Sequence, residues 1–317
     1  MPQYNRSELD LKARSLGFNR DTFEKVLRLS EILNWIYNHP YLSDHLLLKG
    51  GTAINLTVFS LPRLSVDIDL DYTPNVSREE MLESRSTITQ LLNSYMGSEG
   101  YSISPASRMH HSLDALYYSY TNAAGNPDMI KIEINYSLRA HLLPASKRSF
   151  QLEFLESDDN IITVDPMEIY AAKVNALLSR TAARDLYDIS NMITNNMFND
   201  KKDLFRKCII FYMSVSQKSV DPTFNTDAIN NLSFQKIRRD LFPVLGSDER
   251  NQKFDLESRK NDAIKYIQSI MTLTDNENEY LRKFADKEFL PGLLFDDDDI
   301  IERIKMHPMA LWKCNSN

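Results

Sequence analysis

The sequence predicts an α+β fold in which a strand-bearing first part is followed by a helical second part. Three observations carry this. Only eight glycines occur in 317 residues, about a third of the usual ~7% share, as in a helix-rich chain. Apolar and acidic residues alternate strictly from Val66 to Tyr72, the period of a half-buried strand. Beyond about Asn195 strand signals fade and helical spacing runs to the end. This places a domain boundary near 195–200, with residues 1–197 forming one domain and 198–317 a helical one.

From Ser7 to Asn38, apolar residues such as Phe23, Val26, Leu29, Ile32, Leu33 and Ile36 fall at helical spacing, giving one short and one longer amphipathic helix. His39-Pro40 closes that segment. His45-Leu-Leu-Leu-Lys49 reads as a short strand, followed by Gly50-Gly51-Thr52 and a second apolar segment through Phe59. After Pro62 comes the alternating strand, with Asp67, Asp69 and Asp71 on one face. Residues 78–98 read as a helix, and strands are expected near 102–104, 115–120 and 129–136. Asn122-Ala-Ala-Gly-Asn-Pro127 supplies turn chemistry between the last two. Ile161 to Val164 is a further short strand, and Asp165 opens a helix to about Arg180.

The formal net charge is −7, which excludes a uniformly basic nucleic-acid surface and leaves room only for a local patch. Lys201-Lys202 with Arg206-Lys207, Lys236 with Arg238-Arg239, and Lys147-Arg148 are the basic clusters, each read first as a solvated face. Cys208 and Cys314 lie far apart and suggest neither a disulfide framework nor a zinc site. No stretch has the length and apolarity of a signal peptide or a transmembrane helix, so a cytoplasmic protein without membrane contact is expected. His110-His111 reads as a surface pair. The acidic run Asp296 to Asp299 reads as a helix start favoured by the macrodipole.

Chemistry concentrates in two motifs. Lys49-Gly50-Gly51-Thr52 joins a strand to a helix start, where backbone N–H groups and the Thr52 hydroxyl suit a phosphate. Asp67 and Asp69, at i and i+2 on a strand, share a face and suit one or two hard divalent cations, Mg²⁺ or Mn²⁺. Together they describe a site for a metal-chelated nucleoside triphosphate. Glu133, in the alternating run Ile130-Lys-Ile-Glu-Ile-Asn135, is the expected third metal carboxylate, with Lys131 and Asn135 on its face. Asp71 is expected as an outlying acid. Arg63 and Ser65 stand where they reach triphosphate oxygens or simply form a surface loop.

Asp165-Pro-Met-Glu168 has the form of a capping box. On the helix it opens, Lys173 and Arg180 share a face. Arg184 and Asp188 stand at i, i+4, which fits a helical ion pair as well as it fits a site.

The series Lys49-Gly-Gly-Thr52, Arg63-Leu-Ser65-Val-Asp67-Ile-Asp69-Leu70, Lys173-Val-Asn-Ala-Leu-Leu-Ser-Arg180 and Arg184-Asp-Leu-Tyr-Asp188-Ile189 resembles the AbiEii-type nucleotidyltransferase toxins, within the DNA polymerase β-like nucleotidyltransferase superfamily. The resemblance spans roughly residues 45–195. It implies a nucleotidyltransferase domain with a mixed β-sheet flanked by helices, followed by a helical bundle. It also implies Mg²⁺-dependent transfer from an NTP, with a tRNA 3′ end as one acceptor and a cognate antitoxin as partner. By the same resemblance, the glycine and hydroxyl of the nucleotide motif fall on Gly51 and Thr52, beside Lys49 and Gly50, its metal aspartates on Asp67 and Asp69, and the triphosphate-side lysine on Lys173. The acid of the last motif falls on Asp185 or Asp188, and Arg180 accompanies Lys173. Two other readings keep the fold: transfer to a protein hydroxyl or to a small molecule of the aminoglycoside kind, and a non-catalytic interaction protein.

Overall fold

In the computed structural model, residues 4–151, 160–218, 220–251 and 254–315 are described. Contacts gather the chain into two units: 1–139, 145–164 and 244–250 in the first, and 140–144, 165–243 and 251–317 in the second. The helices following Asp165, which the sequence reading grouped with the strands, belong by their contacts to the second unit.

The first unit opens with α1 (Arg6–Ser15) and α2 (Arg20–Asn38), each started by an asparagine whose side chain accepts two backbone N–H bonds, the usual N-cap chemistry. The short α3 (Pro40–His45), with proline in its first turn, runs into strand β1 (Leu46–Lys49). Gly50–Ala53 forms a single turn, α4, continued by a wider turn over Ile54–Val58. Next come β2 (Asp67–Tyr72) and α5 (Arg78–Ser98), the latter begun by a full capping box of Ser77 and Glu80. Strands β3 (Ser102–Ile103), β4 (Arg108–Met109), β5 (Leu113–Thr121), β6 (Pro127–Asn135), β7 (Ser146–Arg148) and β8 (Ile161–Thr163) complete the unit.

These strands make one mixed sheet in the order β3-β5-β6-β2-β1-β8-β7, with β4 also on β5. β2 lies between β1, antiparallel to it, and β6, parallel to it. Period-2 alternation divides the sheet. Ile68, Leu70, Ile130, Ile132 and Ile134 are fully buried on one face, with α2 and α5 supplying Phe23, Leu29, Ile32, Leu33, Ile88 and Leu92 to the same core. The opposite face carries the acids of β2. β4 and β7 have two and three residues and were not expected as strands.

In the second unit, α6 (Pro166–Arg180), α7 (Ala183–Thr194) and α8 (Lys202–Ser216) are followed by α9 (Asp227–Asn230) and α10 (Phe234–Asp240). After α11 (Ser247–Asn251), whose residues divide between the units, come α12 (Leu256–Ile270), α13 (Asp275–Ala285), α14 (Asp298–Ile304) and α15 (Pro308–Asn315). Asp297 caps α14 through the N–H groups of Asp299 and Ile300, so the acidic run is a helix start. His110 and His111 are exposed. Among the described residues, no helix is long and apolar enough to cross a membrane.

Glu168 departs from the capping-box expectation. Asp165 alone caps α6, accepting from Met167 N at 2.8 Å. The Glu168 carboxylate is fully buried and accepts from the N–H groups of Leu142 (2.8 Å) and Leu143 (2.9 Å) and from the Tyr212 hydroxyl (2.6 Å). Three tertiary donors outcompete one local N–H, and burial still pushes this carboxyl upward.

Candidate active site

β1 and β2 pair so that Lys49 stands opposite Asp69, while the parallel pairing of β2 and β6 sets Asp67 beside Lys131 and Asp69 beside Glu133. Residues paired across strands share a face. One open face therefore collects Asp67, Asp69, Asp71, Glu133, Lys49 and Lys131.

The two lysines divide the four acids. Lys49 Nζ forms an ion pair with Asp71, which is buried. Lys131 Nζ donates to Glu133 at 2.7 Å. Among the described residues, neither Asp67 nor Asp69 takes part in a salt bridge. The consequence is visible at Asp69, whose carboxyl is pushed up to about 6 by burial, with Glu133 and Asp67 adding to the rise and Lys49 and Lys131 opposing it. Asp71, expected as an outlying acid, is the buried partner of Lys49.

The glycine turn is built against this pair. Gly50 has φ +70°, and a Cβ there would strike the Asp69 carboxylate. The turn's backbone lies against the carboxylate, a close approach that only glycine allows. A Cβ on Gly51 would meet Arg63 Nη2 at 2.8 Å and Ser65 Oγ at 3.0 Å. Arg63 and Ser65 thus line the glycine turn. Arg63 is buried, with Nη1 donating to Leu64 O at 3.0 Å, so the surface-loop reading does not describe it. Thr52 is fully buried; its hydroxyl bonds to the backbone carbonyl of Asp67 and to Ser65 Oγ (2.9 Å). In this arrangement Thr52 fastens the turn to the start of β2.

The second basic and acidic series lies within the helical unit. Lys173 Nζ on α6 meets Asp185 (3.2 Å) and Asp188 (2.6 Å) on α7, and Arg180 meets Asp185 at 2.9 Å. Both candidate acids thus hold the same ammonium. Arg184, at i, i+4 with Asp188, also donates to the carbonyl of Asp240 at 2.9 Å.

Among the described residues, no three His, Cys, Asp or Glu side chains gather into a group able to hold a metal ion, and Glu133, the expected third ligand, is held by Lys131. Asp67 and Asp69 suit a cation held in the way common for Mg²⁺, by one or two carboxylates together with substrate phosphates and water. Lys131 was noted in the sequence only as sharing a face with Glu133. Its spacing of two residues along an alternating strand is the signal that marks it as a neighbour of the acid.

The family described as "Nucleotidyl transferase AbiEii toxin, Type IV TA system" matches residues 33–271. The chain belongs to the AbiEii nucleotidyltransferase toxin family. Among solved structures, this AbiEii chain is similar to MenT4, a nucleotidyltransferase toxin from Mycobacterium tuberculosis H37Rv, at 15% sequence identity and a TM-score of 0.65. The likeness covers 96% of this chain and 99% of the other, and it carries the fold. No curated protein matches the sequence. As an AbiEii protein the chain is a nucleotidyltransferase toxin of a type IV toxin–antitoxin system.

Proposed function

We propose that this toxin transfers a nucleotide from a Mg²⁺- or Mn²⁺-bound NTP to the 3′ hydroxyl of an RNA, such as a tRNA, in the cytoplasm, under the control of a cognate antitoxin. The observation supporting this reading is the pair Asp67 and Asp69, which among the described residues take part in no salt bridge, while Lys49 and Lys131 form ion pairs with the acids beside them. The bound metal would offset triphosphate charge there. Lys49, Gly50, Gly51, Arg63 and Ser65 form the nucleotide side, with Thr52 holding the turn to β2. The acceptor hydroxyl oxygen attacks the α-phosphorus, the bond to the β-phosphate oxygen breaks, pyrophosphate leaves, and the hydroxyl proton passes to Glu133. Lys131, 2.7 Å from the Glu133 carboxylate, holds it in place. Lys173 takes the role of triphosphate lysine from the family resemblance, and Asp185, Asp188 and Arg180 fix its setting. The sheet-bearing domain (1–197) and the helical domain (198–317) are the proposed functional division.

The test is incubation with each labelled NTP and total tRNA. Label enters RNA with the wild-type protein and is absent with Asp67→Ala. No RNA labelling with any nucleotide overturns the reading, and label in protein or a small molecule replaces the acceptor.

A further inference from the structure

The sheet order gives the site a direction. The glycine turn follows β1, on one flank of β2, while β6, β5 and β4 extend from the other flank. An in-line displacement needs the attacking oxygen opposite the leaving pyrophosphate. With the phosphates on the β1 flank, the acceptor approaches over β6 and β5.

Two rungs of side chains cross that flank. Asp67 stands beside Lys131 on β6, and Lys131 stands opposite Tyr117 on β5. Asp69 stands beside Glu133, Glu133 opposite Ala115, and Ala115 opposite Arg108 on β4. At a strand spacing of about 4.8 Å, Tyr117 lies roughly 10 Å from Asp67 and Arg108 roughly 14 Å from Asp69. Tyr117 and Lys131 interact electrostatically. Tyr117 is half-buried and Arg108 is exposed, with Nη1 on the carbonyls of Pro105 and Ser107. Ala115, the small residue between Glu133 and Arg108, keeps the rung low. In a sequence of net charge −7, a cation and an aromatic ring stand on one rung and a second cation at the outer end of the other, on the side away from the glycine turn.

We infer that Tyr117 and Arg108 form the acceptor track of this toxin, binding the single-stranded 3′ end of an RNA. This rests on the nucleotidyl-transfer reading above. Tyr117 stacks the terminal base, and Arg108 meets a phosphate further up the strand. Stacking on an aromatic ring is sequence-tolerant and suits single strands, and Arg forms the planar bidentate phosphate contact that a point charge does not.

The test measures binding of a fluorescent single-stranded RNA oligonucleotide without NTP, and separately steady-state transfer to tRNA, for wild type, Tyr117→Ala, Tyr117→Phe and Arg108→Ala. Expected results for Tyr117→Ala and Arg108→Ala are a roughly tenfold weaker oligonucleotide affinity and a matching rise in acceptor KM. NTP KM stays within about twofold. Tyr117→Phe keeps its ring and binds as wild type. Arg108→Ala lowers the slope of log affinity against log salt by about 0.7, and its exposed position spares the fold. Unchanged affinity and salt slope in both alanine variants overturns the track. Wild type that binds the oligonucleotide but labels no RNA overturns the transfer reading and leaves the binding comparison to decide the track.

Discussion

Gly50 offers a test of how closely the nucleotide turn must approach the carboxylates. It and Gly125 both have positive φ, +70° and +84°. An alanine at either pays for a left-handed backbone, about 1–2 kcal/mol. Their surroundings differ. A Cβ on Gly125, in the β5–β6 turn, meets nothing within 4 Å. On Gly50 it strikes the Asp69 carboxylate and lies 3.2 Å from both Asp69 Cβ and Cγ. Gly125→Ala therefore measures the backbone term alone, and the excess in Gly50→Ala measures displacement of Asp69. Urea unfolding with chelator should show about 1–2 kcal/mol lost in Gly125→Ala and more in Gly50→Ala. Nucleotidyl transfer should stay within twofold of wild type in the first and fall about a hundredfold in the second, since a misplacement near 1 Å at a reacting centre has that effect. Equal stability losses, with full activity in Gly50→Ala, would refute the reasoning.

Other perturbations follow from buried charge. Lys173→Met leaves Asp185 and Asp188 buried without their shared ammonium, and unfolding should show a loss of about 3–5 kcal/mol, partly restored by adding Asp188→Asn. His307 is fully buried and held near 4 by burial, with His141 adding to the fall. Its folded pKa lies below the unfolded value near 6.5, so stability is complete above that value and declines as pH falls toward about 4, by about 3 kcal/mol at most; His307→Gln should flatten this part of the urea-midpoint profile. Asp69→Asn removes a carboxylate raised to about 6, whose ionised form weakens the fold as pH rises from near 4 to about 6. The metal-free variant should be more stable than wild type at pH 7.5 by at most about 3 kcal/mol, and transfer should be abolished.

What was legible in the sequence was local. Alternation over Val66 to Tyr72 revealed the strand and the shared face of Asp67 and Asp69, because the side-chain period of a strand is fixed by its backbone. The turn residues from Asn122 to Pro127 revealed the hairpin, where Asn122 N donates to Asn126 O at 2.9 Å. Strand register was hidden, since it is set by partners distant in sequence. Nothing near Lys49 says that its ammonium reaches Asp71, and nothing near Thr52 says that its hydroxyl turns inward to Asp67. Glu168 shows the same limit from the other side: its local pattern was that of a cap, and donors from Leu142, Leu143 and Tyr212 claimed the side chain.

The division of charge on the site face separates what folding requires from what it leaves undone. Asp71 is buried deepest of the β2 acids and has Lys49; Glu133 has Lys131. These pairs relieve the repulsion expected of aligned carboxylates and keep two lysines on the same face. A fold selected for stability alone would relieve Asp67 and Asp69 too, with a further cation or with neutral side chains. Instead the Gly50 backbone is pressed against Asp69, and the carboxyl is raised by burial and by its acidic neighbours, a rise that Lys49 and Lys131 oppose only in part. A buried carboxylate raised in this way favours whatever brings positive charge to it. On the proposed reading, that preference lies between the glycine turn after β1 and the Lys131–Tyr117 rung on β6 and β5, where the nucleotidyl transfer would take place.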